Sequence, residues 1–509
     1  MESIINLSLG KTYLILLIFG LFMLIITYVF ARWRKYTSAE GFLVGKRNVN
    51  WLMGGSSIAA SWIWAPALFV STLFAYQTGL VGLFWFVVPN IFALGMFAFL
   101  APRIRKKMSY GFTLPQWIQH KLGDNKVHKM YLFPFFFYQI MAITVQLYAG
   151  GNLLALMIGI PVYQAVAVLT IAVLAAIPLV YSLISGLEAS IITDFVQLLI
   201  LLLALVVIIP WIVIVVGIET IISGLGGISN STLNIFDPKI AFSLGIVTSI
   251  GLISGALSDQ QFWQRGFAIR KGHLAKAFIF GALVFGLVPI ALGLLGFIGA
   301  SPGVELIIPK GIDASMVGVL VVGKLLPVWV SILFVVMLLS ALSSTLDSGM
   351  NAGASLYARD IMKYTKKEEE LMLNFEKKVK LSDKEKLEKH ILDSRRLAGS
   401  RTMMVLITIV GFLIAMAVIY IPGFELFQLW WVFNTIAACV VVPTILSLYW
   451  DRLSPKGVFW GVLFAFFVGL PIFIYANVIN NNVMTVLSSL GIIGVTLLFC
   501  LAFPKKKIS

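Results

Sequence analysis

The amino-acid sequence predicts an all-α polytopic membrane protein with thirteen transmembrane helices, and three observations carry that prediction. The 509-residue chain is 60% hydrophobic and 12% charged, with a mean hydropathy of +0.98; a soluble chain carries about 25% charged residues. Apolar runs of about 20 residues recur along it, each long enough to cross a hydrocarbon core of about 30 Å. Lysine and arginine gather in alternate loops, the pattern of positively charged cytoplasmic connections.

In chain order the spans fall near 11–33, 51–75, 79–101, 128–157, 162–184, 190–216, 242–262, 274–299, 327–358, 401–421, 423–449, 456–477 and 484–503. Thirteen is odd, so the termini lie on opposite sides. With the N-terminus outside and the C-terminus cytoplasmic, all but four of the 38 Lys and Arg residues face the cytoplasm. They include "RWRK" (32–35), "KR" (46–47), "RIRKK" (103–107), Arg265 to Lys276, the 363–401 segment and the final "KKK". Lys11, Lys239, Lys310 and Lys324 remain on the outer side. The net charge of +16 is therefore a matter of topology, and no nucleic-acid partner is expected.

The first span lacks a basic leader and a small-residue cleavage pattern, so it reads as a retained helix. Cys439 and Cys500 both fall in spans and suggest neither a disulfide framework nor a metal site. The chain reads as one transporter domain: a leading helix (11–33), then two sets of five spans over 51–216 and 242–449. A cytoplasmic linker at 363–401 has mixed charges at helical spacing, and two C-terminal helices occupy 456–503. Because five is odd, the two sets enter the membrane from opposite sides, as a 5+5 inverted repeat with discontinuous helices requires. The loops at 217–239 and 301–314 face outside. The apolar stretch 315–326 is too short to span and is expected to be re-entrant or a surface helix.

Two spans contain groups that hydrocarbon cannot satisfy. In "WLMGGSSIAASWIWAPALFVSTLF" (51–74), Pro66 has no amide hydrogen for the carbonyl of Trp62, and a freed carbonyl in a membrane needs another partner. In "LLSALSSTLDSGMNAGASLY" (338–357), Ala341, Ser344 and Thr345 stand at i, i+3 and i+4 and share a helix face. Together these form a cluster of neutral oxygens, the ligand type that hard cations take. The intramembrane acids Asp194, Asp259 and Asp347 are functional candidates because buried carboxylates are expensive. Asp259 lies close to Arg265 in sequence, so an ion pair or gate contact competes there with ligand binding. All four histidines (120, 128, 273 and 390) are placed in loops, which argues against a buried histidine relay. Trp62, Trp64, Gln146, Trp263, Gln428, Trp430 and Trp431 are the aromatic and amide candidates for a solute cavity. No P-loop, zinc signature or nucleophile motif is present, so neither ATP-driven transport nor catalysis is expected.

Five segments in order, "GFLVGKRNVNW", "SGLEASIITDFVQ", "DQQFWQR", "SSTLDSGMNAGASLYARDI" and "YWDRLSPKGVFWG", resemble the sodium:solute symporter family. That family includes the sodium–glucose cotransporters and bacterial proline permeases, and the resemblance covers nearly the whole chain. It implies a sodium site built from the carbonyls of Ala59, Trp62 and Ala341 and the hydroxyls of Ser344 and Thr345, with Asp194 close by. Where sugar carriers of the family have an Asn-type residue and a polar contact, this chain has Ser61 and Pro66; Trp430 replaces their Gln, with Gln428 two positions early. A sugar is thus disfavoured, and a urea-like compound or a small amino acid such as proline is expected. Ser61, Trp64, Gln146, Asp259, Trp263, Gln428 and Trp430 are the expected solute contacts. The resulting expectation is a plasma-membrane symporter that couples Na+ to a small solute by alternating access, with the lipid bilayer and that solute as partners and no obligatory protein partner. A proton-coupled version using an intramembrane Asp and a transporter-like membrane sensor are the alternatives.

Overall fold

The computed structural model describes residues 8–34, 38–309, 311–362, 365, 368, 370, 371, 374, 381–421 and 424–505. Among these residues the chain is helical, with a single isolated bridge between Val49 and Ile269. Twelve helices are long and apolar enough to cross a membrane. The expected second span is missing from that set because it is interrupted. Trp51–Trp62 forms a 12-residue helix capped at its start by the Asn50 side chain, and the helical path fails at Ile63 (φ −80, ψ 68). The chain resumes in a π-helical turn at Pro66–Val70 and runs on through Ser71–Gly95. Pro66 gives the Trp62 carbonyl no partner, so the break falls where the sequence places it.

Two glycines let the chain reverse within otherwise continuous helical runs. Gly79 (φ 66, ψ −145) and Gly186 (φ 63, ψ −145) adopt backbone angles that side chains rarely tolerate. A Cβ at Gly79 would lie 2.0 Å from the Leu225 carbonyl oxygen, and one at Gly186 would lie 2.4 Å from that of Phe42. A second interruption occurs in the other half. Ile246–Ser258 ends at Asp259 (φ −82, ψ 116), whose side chain then caps Gln260–Ala268 through the Gln261 amide. The inner ends of the two broken helices are joined by backbone pairing, Val49 N to Ala268 O at 3.2 Å and Arg270 N to Val49 O at 3.0 Å. Packed against the broken pair is Val328–Leu356, buried along nearly its whole length.

Three segments bear on the expectations. Of the two alternatives for 315–326, burial of Val317 to Val322 in Val317–Leu325 disfavours the surface helix and leaves the re-entrant one. The histidines, expected in loops, lie in helical segments or turns. His120 lies in Leu114–Leu122, His273 in a 3-10 turn and His390 in Asp383–Ile419. His128 is buried in Asn125–Ile158, with Nε2 2.8 Å from Asp360 Oδ1. The linker expected at 363–401, read as helical, runs on into the span after it. Its second half opens the 37-residue helix Asp383–Ile419, started by a Ser382/Glu385 capping box, while residues 363–364, 366–367, 369, 372–373 and 375–380 lie outside the described residues.

Candidate ion and solute sites

The residues expected to hold the ion converge on the inner side of the first break. Ser344 Oγ donates to Asp194 Oδ1 at 2.5 Å, and Ser57 Oγ donates to Asp194 Oδ2. Thr345 Oγ1 lies 3.3 Å from the Ser61 carbonyl and 3.4 Å from that of Ala341, so it bridges the broken helix and Val328–Leu356. The Ala59 carbonyl accepts from Ile63 N at 2.9 Å, the last helical bond before the break. Asp194, Ser344 and Ser57 are at most 2% exposed. This set of hydroxyls and carbonyls around one carboxylate has the hardness and low charge that a monovalent cation takes.

The sequence reading missed the guanidinium at the centre of this network. Arg265 pairs with Asp194 (Nη2 to Oδ2, 2.8 Å), and both side chains are fully buried. It also donates to Ser57 Oγ at 2.7 Å, to Ser348 Oγ at 2.7 Å and to the Gln261 carbonyl at 3.1 Å. Of the alternatives open for Asp259, the ion pair with Arg265 is not formed, since Arg265 pairs with Asp194 instead. Arg265 lies nearly two turns along Gln260–Ala268 and reaches across to another helix, while Asp259 turns back to cap its own. Asp347, fully buried, accepts from Ser190 Oγ at 2.7 Å, Thr193 Oγ1 at 3.3 Å and Ser348 Oγ at 3.2 Å. Its side-chain partners among the described residues are hydroxyls, one of which, Ser348 Oγ, also accepts from Arg265.

On the other side of the break the side chains are aromatic and their polar atoms are unmet. Trp62 and Trp64 stack at 5.0 Å, and Trp62 Nε1 donates to Asn90 Oδ1 at 2.7 Å. Trp64 meets Phe433 at 5.0 Å and Trp430 at 6.4 Å, and Tyr138 stacks on Phe433 at 4.0 Å. Gln146 Oε1 accepts from Ala65 N at 2.8 Å and so holds the far lip of the break. Among the described residues, Trp64 Nε1, Trp430 Nε1, Gln146 Nε2, the Tyr138 hydroxyl and both amide atoms of Asn434 are buried without a hydrogen-bond partner. Buried polar atoms are nearly always paired, so a cluster of exceptions beside a helix break marks where a polar ligand would sit.

Of the expected solute contacts, Trp64, Gln146 and Trp430 belong to this cluster. Ser61 turns inward, its Oγ 2.9 Å from Ser348 Oγ. Trp263 packs on Phe97 at 4.8 Å and donates to the Leu257 carbonyl, away from Trp64. Gln428 accepts from Glu425 N and donates to Asn480 Oδ1, a capping role at the helix start. Asp259 accepts from Gln139 Nε2 at 3.3 Å and Gln261 N at 2.9 Å, at the second break. Tyr138 and Asn434 were missed. The signal that could have found them is "GLISG" (251–255), a small-residue pair one helical turn apart that lets another helix approach.

At the helix start before Leu426, a cavity of about 490 Å³ is lined in part by Tyr148, Asn152, Tyr163, Asp313, Phe424 and Glu425. Asp313 accepts from Leu426 N at 2.8 Å and Ser315 N at 2.9 Å, so two helix starts share it. Glu425 is half-buried at the same helix start, and burial, with the Asp313 charge second, pushes its carboxyl up to about 7.

Similarity to known proteins agrees with this geometry. A probable urea active transporter of Schizosaccharomyces pombe is 24% identical over 54% of this chain and 42% of its own length. A urea-proton symporter of Oryza sativa subsp. japonica is 23% identical over 69% of this chain and 52% of its own. The chain thus matches about half of the length of these curated relatives, or less. The fold is shared with a Na+-coupled sialic acid symporter solved in a substrate-bound outward-open state (TM-score 0.71, 18% identity, 98% of this chain and 99% of the other). Residues 42–381 match the sodium:solute symporter family, so the chain is a polytopic membrane protein belonging to that family of solute carriers.

Proposed function

We propose that this chain couples sodium entry to the uptake of a small, uncharged, urea-like solute by alternating access. The observation that carries the proposal is the oxygen-rich cluster enclosed beside the broken helix. Ser344 meets Asp194, Thr345 meets the carbonyls of Ser61 and Ala341, and Arg265 pairs with Asp194. One monovalent cation there would take Ser344, Thr345 and the carbonyls of Ala59, Trp62 and Ala341 as neutral ligands, with Asp194 as the nearby charge. Held between the broken helix and Val328–Leu356, such an ion would favour the form in which those two helices stay together. A ligand shifts such an equilibrium only through different affinity for the two states, and opening the inner end would separate these ligands.

The solute reading rests on the aromatic cluster. Its unmet groups are neutral donors and acceptors, and the nearby guanidinium is already committed to Asp194. A zwitterionic amino acid would bring a carboxylate with no cation to meet it, whereas a planar amide matches both the rings and the polar atoms. The corresponding topology has thirteen crossings with the interrupted helix counted as one, the N-terminus outside and the C-terminus in the cytoplasm. In that arrangement 51–216 and 242–449 form inverted repeats in the plasma membrane.

Proton coupling is the second reading. It is favoured by Asp259, a carboxylate 2% exposed and held by amide donors, and by similarity to a urea-proton symporter. Uptake of radiolabelled urea into proteoliposomes, driven by a sodium gradient or by a pH gradient at matched membrane potential, separates the two. Sodium-driven accumulation is expected. Accumulation with the pH gradient alone would replace sodium by protons, and downhill flux without accumulation would make the protein a channel.

A further inference from the structure

Asn434 sits in Leu426–Tyr449, 1% exposed, with both Oδ1 and Nδ2 unpaired; its lack of partners therefore does not depend on which way the amide is turned. Opposite it, Ile246–Ser258 presents Thr248, Gly251 and Gly255 along one face. A Cβ built on Gly251 would lie 3.1 Å from Asn434 Cβ. One on Gly255 would lie 2.4 Å from Asn434 Oδ1 and 3.0 Å from the Tyr138 hydroxyl. Two unpaired polar groups from different helices thus converge over a glycine, and the Thr248 hydroxyl two turns away is also unpaired. A structural asparagine at a helix contact hydrogen-bonds across it; this one does not. Phe433, next in sequence, stacks on Tyr138 and meets Trp64, which ties the group to the lip of the first break.

We propose that Asn434 and Tyr138, which Gly255 lets approach one another, form the polar anchor that selects the solute. An amide oxygen, an amide N–H pair and a hydroxyl together recognise a compact solute that carries a carbonyl and N–H groups on one planar centre. Urea and simple carboxamides fit this description; a cation or a carboxylate does not. The inference rests on the solute-carrier reading above and adds the residues that decide which solute is carried.

The test measures KM and Vmax for radiolabelled urea, acetamide, L-proline and spermidine in proteoliposomes, together with the thermal midpoint in detergent. The variants are Asn434→Leu, Tyr138→Phe and Gly255→Ala. For Asn434→Leu the urea KM should rise at least about five-fold with Vmax within about two-fold, the loss of one or two hydrogen bonds. Its thermal midpoint should rise by about 1 °C or more, because an unpaired buried amide is replaced by an apolar group of similar size. Gly255→Ala should raise KM by displacing the amide, and Tyr138→Phe, which deletes only the hydroxyl, keeps the test open if Asn434→Leu does not fold. A wild-type KM in these variants, or a lower midpoint with Asn434→Leu, overturns the anchor. If the wild type carries proline or spermidine instead of urea, the urea reading fails; the same KM shifts on the carried solute would still establish the anchor, though not its amide preference. If none of the four is carried, the midpoint of Asn434→Leu decides alone.

Discussion

Two clusters lie on either side of the break at Ile63 and Trp64, and they differ in how their polar atoms are satisfied. On the inner side, Ser57, Ser61, Ser190, Ser344, Thr345 and Ser348 all hydrogen-bond, and Arg265 places donors on three side chains and a carbonyl. On the outer side, Trp64, Tyr138, Gln146, Trp430 and Asn434 retain unpaired atoms at comparable burial. A satisfied buried network fixes helices relative to one another, whereas an unsatisfied one is costly until something binds. On the proposed function, the first cluster would tie the broken helix to its neighbours and the second would be completed by a solute. The broken helix joins them through Ser57 and Ser61 on one side and Trp64 on the other.

The most severe way to break the inner cluster is Arg265→Ala. It leaves Asp194 buried beside Asp347 without its cation, a loss on the order of 3–5 kcal/mol. The thermal midpoint should fall sharply and uptake should vanish. Arg265→Ala with Asp194→Asn should be more stable than Arg265→Ala alone; an equally unstable double variant would mean that Arg265 acts through packing. Next in size are Ser344→Ala and Thr345→Ala. Each removes a hydroxyl ligand worth about 1–2 kcal/mol, so the sodium concentration for half-maximal uptake should rise about ten-fold. Unchanged sodium dependence in both variants would remove the ion-site assignment.

Pro66→Ala sharpens the comparison at the joint itself. With an amide restored, the Trp62 carbonyl regains a helical partner and the break should partly close, slowing uptake several-fold. A wild-type rate would show that the break does not depend on this residue. The smallest effect is expected at the cavity before Leu426. Glu425 is raised to about 7 by burial and then by Asp313, above its ordinary value near 4.3. The folded chain thus binds more protons than the unfolded one between these values, so the contribution to stability is present at acid pH and lost as pH rises through about 7. Glu425→Gln should flatten the fall in thermal midpoint between pH 5 and 8; an unchanged slope would place the titration elsewhere.

Much of the fold was legible because its signals are local. Apolar run length gave the spans, and Pro66, which removes a hydrogen bond that no neighbour can restore, gave the break. The oxygen-rich face of Val328–Leu356 was equally readable, since Ala341, Ser344 and Thr345 are spaced by helix geometry alone. The partner of Arg265 was not legible because closeness in sequence says nothing about partners once a helix starts between two residues. Asp259 caps that helix and Arg265 points away to Asp194. His128 was misplaced because its helix begins a few residues before the apolar run does. Asn434 was invisible in composition: it acquires meaning only from the glycine and the tyrosine that two other helices bring to it.

The central claim, that an ion in the inner cluster is linked to the aromatic cluster through the broken helix, is tested most directly by tryptophan fluorescence. Purified protein would be titrated with sodium, with potassium and choline as controls, as wild type and as Ser344→Ala. Trp62 and Trp64 stack at the break, so ion binding should give a saturable, sodium-specific change that the variant loses or shifts to about ten-fold higher concentration. A response indifferent to the cation, or identical in the variant, would contradict the account.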